Sequence, residues 1–125
     1  GNENVITVVG CGGERDKSKR PVMGHIASDM SETAIFTSDN PRREPPRDII
    51  AEMEAGVEPQ NVRKVLVIED REQAIRTACK MAGGGDIILI AGKGHETYQE
   101  IAGVRRDFDD YKLVSEVLER LASEV

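Results

Sequence analysis

The sequence predicts one α/β domain of Rossmann-like, three-layer design, with a mostly parallel sheet, helices on both faces and an edge hairpin near the C-terminus. Three observations carry this expectation. Four short aliphatic runs recur along the chain, helical spacing fills the segments between them, and 125 residues suffice for one hydrophobic core but not for two. Strand and helix in strict alternation imply right-handed crossovers and parallel pairing.

The runs at residues 4–9 (NVITVV), 33–37 (TAIFT), 64–68 (KVLVI) and 86–91 (DIILIA) are almost continuously apolar. Strands covered on both faces of a sheet have this character. Residues 18–30 are expected to form the first helix, with Met23, Ile26, Ala27 and Met30 inward. Pro45 and Pro46 open the second, in which Ile49, Ile50, Met53 and Val57 share a face and Gly56 stands near the stop. The third, REQAIRTACKMA, turns Ala74, Ile75, Ala78, Cys79 and Ala82 inward and ends at a run of glycines. Beyond Ala91, TYQEIAGVRRDF alternates around an Ala-Gly turn, as a hairpin on the sheet edge would. A last helix is expected over 109–125, with Asp109 as cap and Tyr111, Val114, Val117, Leu118 and Leu121 inward. Neither repeats nor an interdomain linker interrupt the pattern.

Composition narrows the function classes. With 38% hydrophobic and 32% charged residues the chain reads as a soluble, cytoplasmic globule. A net charge of −6 argues against a nucleic-acid binder, whereas the local basic clusters ERDKSKR and NPRREPPR suit capture of small anions such as phosphates or carboxylates. Cys11 and Cys79 are far apart and form no metal or redox motif. No segment has the length and apolarity of a membrane span or a secretory signal. The abrupt start, Gly-Asn-Glu-Asn, suggests a chain that begins mid-protein.

Ligands of an open parallel sheet bind outside the carboxyl ends of its strands. Three unusual loops fall there: GCGGERDKSKR, SDNPRREPP and GKGHE. In the first, the spacing of Gly10, Gly12 and Gly13 is not the dinucleotide fingerprint, and no ribose-binding acid follows at the required distance. Arg15, Asp16, Lys17, Lys19 and Arg20 nevertheless carry more charge than a turn needs. The third resembles a phosphate-binding loop only superficially, since Ile87 stands where its first glycine belongs and Gly94, not Ser or Thr, follows the lysine. The two histidines, His25 and His95, complete neither a metal motif nor a catalytic triad, and a structural role suits both.

The second loop has a plain structural reading. Ser38, Asp39 and Asn40 suit an Asx turn, Pro41 fixes its own φ, and Pro45-Pro46 begin the next helix. Turn-making does not account for Arg42 beside Arg43 after an Asp-Asn pair. A guanidinium fork for a carboxylate, next to side-chain oxygens for an ammonium, complements the zwitterionic end of an amino acid.

In order along the whole chain, GCGGERDKSKRPVMG, TSDNPRREPP, IEDREQAI, ILIAGKGHETYQ and DFDDYKLV resemble the C-terminal domain of the Mur ligase family, in its MurE branch. Each piece is modestly specific; five in order are strongly so. The resemblance implies that residues 1–125 are the amino-acid-binding domain of a cytoplasmic three-domain ligase. Its N-terminal domain would hold UDP-MurNAc-L-Ala-D-Glu, and its central domain would bind most of the ATP and Mg2+, which accounts for the missing phosphate-binding loop. This domain would hold no catalytic residue or metal and would be inactive alone.

The D-N-P-R form of the loop is that of family members adding meso-diaminopimelate, where lysine-adding relatives lack the arginine. Carried over by position, the resemblance puts Arg15, Asp39, Asn40, Pro41, Arg42, Gly92 and Glu96 around diaminopimelate, and Asp16, Lys17 and Lys19 near the nucleotide. Glu14 departs from the aspartate that the family often has there. Two alternatives stay open at this point: the domain of another Mur or folylpolyglutamate-type ligase, against which D-N-P-R and G-K-G-H-E weigh, or a stand-alone amino-acid-binding module.

Overall fold

The computed structural model describes residues 4–13, 17–40, 42–83, 86–91, 98–101 and 104–107. Strands β1 (Val5–Val9), β2 (Thr33–Phe36), β3 (Val65–Val67) and β4 (Ile87–Ala91) form one sheet in the order β3-β2-β1-β4. Every neighbouring pair is parallel, and Val9 at the end of β1 lies between Phe36 and Ala91. The chain steps outward from β1 to β3, then returns to place β4 on the other side of β1. Such a reversal opens a crevice at the carboxyl ends of the two strands that flank it.

Strand alternation sorts the core into two layers, as a sheet covered on both faces requires. Ile6 and Val8 on β1 and Ile35 on β2 meet Ala74, Ile75, Ala78 and Cys79 of the helix Arg71–Met81 on one face, the far face. Val9, Ala34 and Phe36 point the other way, against Ala27, Ile49, Ile50 and Met53. These belong to α1 (Lys19–Met30) and α2 (Pro46–Glu54); the far-face helix is α3. Pro46 opens α2, where its missing N–H costs no helical hydrogen bond. A short 3₁₀ turn, Pro59–Lys64, leads into β3 and has no counterpart in the sequence pattern.

The inward face of α1 differs from the expected one. Arg20, Gly24, Ala27 and Ser28 are buried and Met23 is partly so, whereas Ile26 and Met30 are exposed. Close approach of α1 to α2 explains the rotation. A Cβ on Gly24 would lie 1.9 Å from the carbonyl oxygen of Met53, so only glycine fits the contact, and a stripe of small residues rather than the large apolar ones turns inward.

The hairpin forms from β5 (Tyr98–Ile101) and β6 (Val104–Asp107), antiparallel with Tyr98 opposite Asp107. Its strands pair as a sheet of their own; among the described residues they do not extend the edge of the parallel sheet. The helix expected over 109–125 lies outside the described residues.

Candidate functional site

Strand β1 delivers the chain to Gly10 and β2 delivers it to Thr37 at the same edge of the sheet. The two connections then touch backbone to backbone. A Cβ on Gly10 would meet the Thr37 carbonyl oxygen and the Asp39 Cβ, each at 2.8 Å. Thr37, Ser38, Asp39 and Asn40 are all buried, so their polar groups need internal partners. The Thr37 N–H donates to Val9 O at 3.0 Å. The Ser38 N–H and the Thr37 hydroxyl both donate to Glu69 O, at 3.2 and 3.1 Å, which ties in the connection after β3. Arg71, fully buried at the start of α3, donates from Nη1 to Ser38 O at 3.2 Å.

Past this anchored stretch the backbone turns sharply. Asn40 and Arg42 both have positive φ, 45° and 55°. Asparagine tolerates the left-handed region; for arginine it costs about 1–2 kcal/mol and persists only when other contacts hold it. The contacts are present. Gly13 N–H donates to Asn40 O at 3.0 Å, while Arg42 Nη1 donates to Gly13 O at 2.7 Å and, at 3.4 Å, to Asn40 O. The first and second loops are therefore clamped in both directions, and neither Arg42 bond uses Nη2 or Nε. Half-buried, its guanidinium lies at the seam between the loops.

A second arginine underlies the seam. Arg20 is 1% exposed and forms a two-pronged bridge to Glu44, Nη1 to Oε2 at 3.0 Å and Nη2 to Oε1 at 2.9 Å. Nη1 also donates to Glu52 Oε2 at 2.7 Å and Nη2 to Gly12 O at 3.1 Å. Hydrogen bonding to Glu44 outweighs desolvation and raises the Arg20 pKa further above its usual value. Nearby, the Cys11 thiol lies 3.4 Å from the Met23 sulfur, and burial pushes its pKa up to about 11, with the Arg20 charge opposing and Asp39 adding.

Of the residues singled out in the sequence, Asn40 and Arg42 are brought together against Gly13, and Asp39 lies against Gly10. Lys17 and Lys19 are exposed beside the start of α1. Arg15, Asp16, Pro41, Gly92 and Glu96, with Glu14 and His95, lie outside the described residues. The strand preceding Gly92 does end at this edge, with Ala91 paired to Val9. His25 is on α1, half-exposed, 3.8 Å from Glu58. Among the described residues no group of three or more His, Cys, Asp or Glu is placed to hold a metal ion, and no helix is long and apolar enough to cross a membrane.

Sequence reasoning missed the parts that hold the loops: Glu44, Glu52, Arg71 and the bridging role of Arg20. The signal was available for both arginines. Arg20 precedes Gly24, Ala27 and Ser28 at helical spacing, and Arg71 precedes Ala74, Ile75 and Ala78 in the same way. A charged residue at the head of an inward stripe is a candidate for a buried ion pair.

Comparison with known proteins gives this architecture its class. A family model described as "Mur ligase, glutamate ligase domain" matches residues 1–94, and the chain belongs to that family. Within it, the chain is similar to proteins named UDP-N-acetylmuramoyl-L-alanyl-D-glutamate–2,6-diaminopimelate ligase. That of Cytophaga hutchinsonii is 55% identical over 121 residues, 97% of this chain and 25% of the relative. That of Bacteroides thetaiotaomicron is 55% identical over 117 residues, 94% of this chain and 24% of the relative. A solved structure of a ligase with the same name superposes with a TM-score of 0.89 at 44% identity, covering 98% of this chain and 25% of that one. The chain thus spans about a quarter of the length of these relatives.

Proposed function

We propose that residues 1–125 are the C-terminal, amino-acid-binding domain of an ATP-dependent ligase that adds meso-diaminopimelate to UDP-MurNAc-L-Ala-D-Glu in peptidoglycan precursor synthesis. The observation that carries this reading is the fixed placement of Arg42, held in a left-handed conformation by the Gly13 and Asn40 carbonyls. The names of relatives that match nearly the whole chain support it.

In the proposed reaction the γ-carboxylate of D-glutamate takes a phosphoryl group from ATP, giving an acyl phosphate and ADP. The free amine of diaminopimelate attacks the acyl carbon, the tetrahedral intermediate expels inorganic phosphate, and the nitrogen loses a proton. This domain contributes position rather than bond-making. Diaminopimelate carries two amino-acid ends. Arg42 and Arg15 take the carboxylate of the far end, and Asn40, Glu96 and the Gly92 carbonyl take its ammonium, with Asp39 and Pro41 shaping the loop. The amine of the near end stays free to attack.

Lysine lacks the far carboxylate. At about 1.5–3 kcal/mol for each charge-assisted bond, losing two such bonds gives discrimination of about 10²–10⁴-fold. ATP and Mg2+ belong in this reading to the central domain. The ion would offset charge on the transferring phosphoryl group, and the described residues here offer it no ligand cluster. Asp16, Lys17 and Lys19 would meet the nucleotide as the domains close.

Kinetics of the full-length ligase carrying Arg42→Ala test the assignment. The KM for diaminopimelate is expected to rise by about 10²-fold or more, with rejection of lysine lost. An unchanged KM and intact rejection of lysine would overturn it. Calorimetry on residues 1–125 alone should give weak or no binding, with lysine as control, because the site is completed by other domains.

A further inference from the structure

We infer that Arg20 is a positioning residue for amino-acid recognition, acting on Arg42 through a single peptide group; the inference rests on the proposed role of Arg42. The Gly12 carbonyl and the Gly13 N–H belong to the same planar unit and point in opposite directions. Arg20 Nη2 donates to the Gly12 oxygen at 3.1 Å, and on the other side Gly13 N–H donates to Asn40 O at 3.0 Å. One plane is thus gripped at both ends. The next carbonyl, that of Gly13, is the 2.7 Å acceptor for Arg42.

The grip has a second branch. Glu44 lies two residues after Arg42, on the same loop, and forms the two-pronged bridge to Arg20. Arg20 therefore holds the acceptor that aims Arg42 and the segment that carries it. Glu52 anchors the same guanidinium to α2. A planar fork with donors in fixed directions meets all three acceptors at once, and a lysine ammonium on a flexible stem does not. A cation on the Gly12 oxygen also polarises the peptide, strengthening its N–H donation to Asn40.

None of these bonds touches a ligand, so the effect on recognition is indirect and selective. Misplacing a substrate-holding group by a fraction of an ångström costs affinity for that substrate without altering the nucleotide site. In the full-length ligase, Arg20→Lys is expected to raise the KM for diaminopimelate about tenfold while the KM for ATP stays within about twofold. Glu44→Gln, which keeps the shape and loses one charged prong, should shift the same constant in the same direction and serves if Arg20→Lys fails to fold. Circular dichroism establishes which variants are folded. In a folded variant, an unchanged KM for diaminopimelate, or an equal rise in the KM for ATP, overturns the inference. Failure of the underlying reading is distinguishable, because Arg42→Ala would then leave diaminopimelate kinetics unchanged whatever Arg20→Lys does.

Discussion

Replacing Gly10 with alanine tests the contact on which the two-loop arrangement depends. The added methyl would lie 2.8 Å from the Asp39 Cβ, about 0.7 Å short of the ~3.5 Å at which carbon atoms rest. It would also lie 2.8 Å from the Thr37 oxygen and 3.0 Å from the Asp39 nitrogen, both backbone atoms. Thr37 is held by Val9 and Glu69, and Ser38 by Glu69 and Arg71, so relief must come from moving the loop as a body. Overpacking of this kind costs about 1–3 kcal/mol. Alanine restricts the unfolded chain and returns about 0.4–1 kcal/mol. The net loss is about 1–2 kcal/mol, and at this chain length the melting temperature should fall by roughly 5–10 °C. Because the loop that moves carries Asp39, Asn40 and Arg42, the KM for diaminopimelate of the proposed full-length ligase should rise about tenfold in the same variant. Thermal melts and steady-state kinetics are the assays. An unshifted melt would refute the packing argument, and an unshifted KM with a lowered melt would refute the link from this loop to recognition.

Gly24→Ala would drive its methyl against the Met53 carbonyl at 1.9 Å, on the helix pair that carries Arg20 and Glu52. It should lower the melting temperature at least as far, which thermal melts check. The Cys11 thiol has a folded pKa raised to about 11 by burial, so its stabilising effect is complete below the unfolded value near 9 and is lost as pH rises towards 11. Urea denaturation should show stability falling across that window, with a smaller fall in Cys11→Ala, and thiol reagents should label Cys11 slowly at pH 8. Asp86 has a lowered pKa because its carboxylate accepts the Gly83 and Asn4 N–H groups. Its contribution is present above the ordinary carboxylate range near pH 4 and is lost as pH falls below it, so Asp86→Asn should flatten the acid limb of the stability profile.

How far the sequence could be read depended on which physical signal each element carries. The four strands were legible as unbroken apolar runs, but cover on both faces accounts only for the central β1 and β2; at the edges Leu66 and Val67 on β3 and Ile87 and Leu89 on β4 are exposed, against the expectation. Helices α2 and α3 were legible because their inward faces are largely apolar. Helix α1 misled the same reasoning. Its inward side is set by the 1.9 Å approach at Gly24, a requirement for smallness, so Ile26 and Met30 mark the outer side. At the site, chemistry-bearing residues in a special turn were visible as Asp39, Asn40 and Arg42. The residues supporting them were less so: Arg20 and Arg71 are marked only as charges heading an inward helical stripe, and Glu44 and Glu52 look like ordinary surface charge until the chain is folded. Periodicity marks where a residue faces; it does not say which distant carbonyl a buried guanidinium will meet.

In the stretch from Thr37 to Pro46 the turn and the proposed recognition element share atoms. Its turn depends on Asn40 O accepting from Gly13 N–H, and Arg42 uses the same oxygen as an acceptor. The left-handed φ at Arg42 is unfavourable alone, yet it is the conformation in which the side chain meets the Gly13 carbonyl at 2.7 Å. Backbone strain and side-chain aim are therefore coupled through shared atoms. A loop of this kind cannot relax its turn without redirecting its guanidinium. Two further arginines, Arg20 and Arg71, are held in the interior to brace it, one on each side of the sheet's carboxyl edge. Removing Arg20 would leave Glu44, Glu52 and the Gly12 carbonyl without their shared donor, and removing Arg71 would take the donor from the Ser38 carbonyl. Rigidity in this loop is thus secured by groups that never reach a ligand, and the specificity proposed for Arg42 follows from how little freedom they leave it.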